Sequence, residues 1–152
     1  MFGIFKKKVD LSDLSKINRS DLKELRQQMN EREFGDILKR AAEQGNVDCQ
    51  LAVVAMFGML MQSYGSNPCP PEVLKDFEKY SKLAAANGDA DSQFNLGKLY
   101  MSKVDMSDGR LYSDDHDYVR QAEYWLKKAQ AQGHANAVSL VPGLEDIFRM
   151  AR

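Results

Sequence analysis

The chain has 152 residues, about the length of one domain. Its 21 basic and 22 acidic side chains leave a formal net charge of -1, which excludes a whole-molecule attraction to nucleic acid or to an anionic membrane. With 43% hydrophobic and 28% charged residues, and a mean hydropathy of -0.50, it reads as a soluble protein with a packed core and much exposed helix.

The chain starts Met1-Phe2-Gly3-Ile4-Phe5-Lys6-Lys7-Lys8. A secretory signal needs the reverse order, a basic start followed by a longer apolar run and a small-residue cleavage site. No stretch approaches the roughly 20 apolar residues of a membrane-spanning helix. Residues 1–19 are therefore expected to be a flexible basic terminus, and 20–152 a single cytoplasmic domain without membrane insertion. From Asp21 and Glu24 a capping box is predicted, ahead of a Leu22, Leu25, Met29 stripe that would cap the domain. Asn30 and Glu33 form a second box, so the next helix starts afresh there.

Three segments then share one shape: Leu38 to Gly45, Ser81 to Gly88 and Leu126 to Gly133. The glycines are 43 and 45 residues apart, a spacing that points to a repeat. Each follows a run of helix-favouring residues and can close a helix in the left-handed conformation. Upstream of each glycine, at equal distances, stand Phe34, Ile37, Ala41; Phe77, Tyr80, Ala84; and Ala122, Trp125, Ala129. Their i, i+3, i+7 spacing puts each triple on one helix face, with Trp125 expected in the core.

Asn46 and Asp89 follow their glycines as N-caps, and His134 holds the same place as a weaker one. At matching positions further on come Val53, Leu96, Val141, and then Phe57, Tyr100, Glu145, so the third copy has drifted. Pro142-Gly143 is expected to break that copy, leaving Leu144, Ile147 and Phe148 for a short closing helix. The predicted units cover about residues 31–62, 72–102 and 118–145. Each is helix, tight glycine turn, helix, with the two helices antiparallel. A proline-bearing connector, 63–72, and an acidic one, 102–117, join them.

The second unit carries Ala84-Ala85-Ala86-Asn87-Gly88-Asp89-Ala90, then Leu96-Gly97-Lys98-Leu99-Tyr100. It resembles the Sel-one-like repeat family, an α/α relative of the tetratricopeptide repeats. The segments Ala122 to Ala129 and Gln132 to Ala137 are similar to that family's first helix and turn. The resemblance spans about residues 34–145. The first unit departs from it with Val53-Val54 for Leu-Gly, and the third with Pro142 for the second glycine. It implies an all-α fold: an α/α solenoid of about three units with N- and C-terminal capping helices. In it Gly45, Gly88, Gly97, Gly133, Ala41, Ala84, Ala129, Trp125 and Tyr100 are structural positions. It also implies an adaptor or assembly scaffold, of a kind frequent in bacteria, with no shared catalytic motif.

The acidic connector holds Asp105, Asp108, Asp114, Asp115, His116 and Asp117. Aspartates and histidine can ligate metal, but this spacing does not match a calcium loop. A solvated loop or a partner-binding patch is the better reading, and Asp105, Asp108, Tyr112, Asp114, Asp115, Asp117 and Tyr124 are its candidate contacts. His116 and His134 lie on different elements with no nucleophile motif beside them. Cys49 reads as a small core residue, and Cys69 sits in the proline-rich connector. No catalytic residue, metal or cofactor is expected.

A non-enzymatic module that binds a partner protein is the leading expectation, with no nucleic-acid partner. A narrower form is an immunity protein whose acidic connector meets a basic toxin domain. A small metal-dependent enzyme using residues 105–117 is the alternative from another class, and a self-associating structural module a third. The oligomeric state is left open.

Overall fold

The computed structural model describes residues 8–152. The Phe2, Ile4 and Phe5 cluster lies outside them. Among the described residues the protein is all-helical, with no strand. The helices are α1 (Arg19–Gln28), α2 (Glu31–Glu43), α3 (Val47–Tyr64), α4 (Pro71–Ala86), α5 (Ala90–Met101), α6 (His116–Ala131) and α7 (Ala135–Met150). From α2 onward each helix packs against the next one in the chain.

The three tight turns are built alike. Gly45, Gly88 and Gly133 have φ of 90°, 96° and 76°. A side chain would be strained there, and glycine is not. The residue after each glycine serves two helices. Its N–H closes the finished helix: Asn46 donates to the Ala41 carbonyl, Asp89 to Ala84 and His134 to Ala129. Its side chain then caps the next helix by accepting from Cys49, Ser92 and Ala137 N–H respectively. The imidazole of His134 does this too, at 3.2 Å against 3.0 Å for Asn46 and 2.7 Å for Asp89. Asn30 and Glu33 form the box expected of them. The box of α1 starts earlier than expected, on Asn18 with Asp21 rather than on Asp21 with Glu24.

Within each helix pair a lysine six residues before the glycine lies over an aromatic ring of the second helix. Lys39 is 5.2 Å from the Phe57 ring centre, Lys82 5.7 Å from Tyr100, and Lys127 5.8 Å from Phe148. Phe148 stands one helical turn beyond Glu145, the position matching Phe57 and Tyr100. The third pair thus keeps the contact although its sequence has drifted.

Two amides join successive pairs. Gln50 donates to the Ala42 carbonyl and Gln93 to Ala85, at 3.1 and 3.0 Å. The oxygen of each accepts from the next pair's residue just before its glycine: Asn87 to Gln50 and Gln132 to Gln93, both at 2.7 Å. Both glutamines are buried, so these bonds satisfy groups that would otherwise be costly. The matching place on α7 is Val138, which is exposed and makes no such link.

Several expectations are corrected. Pro142 does not break the third unit; α7 runs through it to Met150. Val141 and Phe148 on either side are buried in one core cluster with Val119 and Leu126 of α6. A break would expose them, which outweighs the missing N–H. The loose terminus expected over 1–19 does not hold for residues 9–19. Val9, Leu14 and Ile17 are buried in the first core cluster. The Asn46 amide donates to the carbonyls of Leu14, Ser15 and Ile17, pinning that segment to the first turn.

Ala41, Ala84, Ala129 and Tyr100 are buried, and Trp125 is partly buried, packed against the second core cluster. Successive helical residues point about 100° apart, so Trp125 sits at the rim while its neighbour Leu126 enters the core against Gly97. Finally, α3 comes closer to a membrane-spanning composition than expected, with a mean hydropathy of 1.2 over its 18 residues. Of that stretch 28% is buried, and Val47, Met59 and Leu60 are exposed.

Candidate functional site

The acidic connector is a folded loop between α5 and α6. Val104 and Leu111 anchor it to the second core cluster, and Gly109 turns it with φ of 76°. Asp105, Asp108 and Asp115 hydrogen-bond within the loop itself. Asp105 accepts from Ser107 N–H, and its own N–H donates to Asp115. Asp108 accepts from Arg110 N–H and from the Tyr112 hydroxyl. Backbone donation by Ser107 holds the Asp105 carboxyl below its usual range, and the Tyr112 hydroxyl does the same for Asp108. Asp117 pairs with Arg120 one turn along α6, and Asp114 is exposed.

Of the predicted contacts, Asp105, Asp108, Tyr112 and Asp115 are therefore brought together by the turn. Tyr124 is not among them. It lies seven residues beyond Asp117 on α6, edge-on to Trp125, with the Lys128 ammonium 4.6 Å from its ring centre. Among the described residues no group of three or more His, Cys, Asp or Glu side chains converges as a metal-holding cluster. His116 opens α6, and His134 is occupied as a cap, bonded to Asp91 and stacked on Phe94.

An open apolar concavity lies elsewhere. A trough of about 660 Å³ runs between α1 and α3 over α2. Leu22 of α1 and Met29, which ends it, form one wall, Ala52, Met56 and Met59 of α3 the other, and Phe34 and Leu38 of α2 the floor. The wall residues repeat at i, i+4, i+7 on α3, so they form one continuous stripe. Met59 is 67% exposed. Lys23 and Arg26 stand on the α1 wall and Glu31 at the start of α2. The Arg26 guanidinium lies 5.6 Å from the Phe34 ring centre. Arg19 is the α1 cation with an ion pair, to Asp48; Lys23 and Arg26 form none among the described residues.

The trough is not legible in the Leu22, Leu25, Met29 stripe, whose spacing marks one helix face and not how much of it is covered. Only Leu25 is fully buried. The signal that could have found it is the density of methionine in α3, at Met56, Met59 and Met61, on a helix apolar on more than one face.

The class that these features define is an all-helical protein of sequentially packed helices, with an open apolar trough between α1 and α3. No protein-family model, curated protein or solved structure matches the chain.

Proposed function

We propose that the chain is a short α/α solenoid of the Sel-one-like kind, acting as a non-enzymatic module that binds a partner protein. The repeat reading is supported by three identical turns, three lysine–aromatic contacts and two amide bridges at equivalent positions. Val138 in place of a third bridging glutamine fits an end unit, where the ladder has no further unit to join.

The single observation that carries the binding role is the trough. It is an open concavity lined mainly by apolar side chains, with Lys23, Arg26 and Glu31 at its edge, a combination that a partner's mixed apolar and polar surface can fill. The immunity reading would act through the acidic connector, where Asp105, Asp108 and Asp115 hold the loop's own shape and Asp114 is exposed; the trough lies at the other end of the chain. Affinity capture from the native lysate, read by mass spectrometry, tests the role. A specific protein held by the wild type supports it, and failure to hold any protein overturns it.

A further inference from the structure

Resting on that partner-binding reading, we infer that the trough between α1 and α3 takes one amphipathic helix of a partner, apolar on the buried side and carrying carboxylates along the edge that faces α1. Shape is the first argument. The trough has two helical walls and a helical floor, and its α3 stripe from Ala52 to Met59 spans seven residues, about 10 Å or two helical turns. Apolar residues spaced i, i+4, i+7 on an incoming helix would match that stripe row for row.

Chemistry is the second. Met29, Met56 and Met59 give the lining three unbranched thioethers, which adapt to the shape of an apolar guest. Charge is the third, and it selects the partner. Lys23 and Arg26 are two cations on one wall, without carboxylate partners among the described residues, beside a desolvating surface. A guest helix with Asp or Glu on that side would pair with both, while a basic one would meet repulsion. A small neutral molecule could enter an apolar trough but would form no ion pair with the two cations, whereas an acid-edged helix would pair with both.

The test uses the whole chain and a displayed library of helical peptides, each with leucine fixed at i, i+4, i+7 and randomised flanks. Sorting against the wild type should enrich Asp and Glu on one flank, and Met59→Glu should lower binding of the selected peptides by about tenfold or more. The Lys23→Glu, Arg26→Glu double variant should enrich basic flanks instead. Both cations and Met59 are exposed, so these variants are expected to fold, and circular dichroism checks that they do. Enrichment without charge preference, or peptides bound equally by Met59→Glu, overturns the inference. So does concentration-dependent dimerisation in sedimentation that Met59→Glu abolishes, since the occupant is then a second copy. If lysate capture returns a protein that the Met59→Glu variant holds as well as the wild type, the partner-binding role stands and this site for it falls.

Discussion

Gly97 of α5 and Leu126 of α6 share one space. A Cβ at Gly97 would lie 2.5 Å from Leu126 Cγ and 3.2 Å from its backbone nitrogen. The glycine is helical with no unusual φ, so it is there for the approach of a neighbour and not for a turn. Leu126 is fully buried as a result.

Gly97→Ala should therefore destabilise by about 1–3 kcal/mol through overpacking, although alanine favours helix by about 1 kcal/mol over glycine. Leu126→Ala should cost about 2–5 kcal/mol by leaving a cavity. The double variant should cost less than the sum, because the new methyl then enters the space the leucine has left. Urea unfolding of the four proteins measures this coupling, and strict additivity would mean that the two residues do not compete for space.

His134 accepts from Ala137 N–H through Nδ1, at 3.2 Å, which leaves Nε2 to donate to Asp91, at 3.0 Å. It also stacks on Phe94 with ring centres 4.5 Å apart. One ring thus caps α7 and ties it back to α5. His134→Ala should cost about 1–2 kcal/mol for the cap. His134→Asn should restore much of that, since asparagine already does this work at Asn46. Thermal unfolding of the two variants separates capping from stacking: equal losses would assign the stability to the ring contacts.

Glu78 accepts from Lys82, Lys103 and the Tyr100 hydroxyl. Burial pushes its carboxyl up, but the two ammonium groups more than offset this and hold it at about 2, against an ordinary 4.5. The folded form therefore keeps the charge to lower pH than the unfolded chain. The resulting stability is complete above about pH 4.5 and is lost as the pH falls towards about 2. Glu78→Gln should cost about 1–2 kcal/mol at neutral pH, and this deficit should shrink on acidification. Unfolding curves for both proteins at several pH values test the sign; a deficit that grows on acidification would contradict it.

Burial, aided by the Asp48 charge, pushes the Cys49 thiol up to about 11. Cys69 is partly exposed in the connector. In native protein one thiol should react readily with an aromatic disulfide reagent at mildly alkaline pH, and two after denaturation. Two fast equivalents in native protein would show that the α3 end of the core opens easily.

Much of the helical pattern was legible because it rests on local rules. Glycine at 45, 88 and 133 ends a helix wherever it follows one, and Asn46 and Asp89 cap through their own side chains. Trp125 packs against the second core cluster without being enclosed by it, because a stripe defined by spacing alone has no origin. A rotation of one residue puts Leu126, not Trp125, into the neighbour. Pro142 was misread because the local cost of proline is visible in the sequence and the burial of Phe148 beyond it is not. The acidic connector drew attention by composition, yet its hydrogen bonds depend on how Gly109 and the 3-10 turn at Ser113–Asp115 fold the loop.

By itself the sequence determined the all-helical class, the three tight turns and most of the caps, since each follows from residues within one turn of each other. Only the tertiary structure decided which side of each helix is inside and which apolar surface is left over. The trough between α1 and α3 exists because α1 and α3 both lean on α2 without closing on each other. The distance between two helices 20 or more residues apart in sequence is not a property of either one.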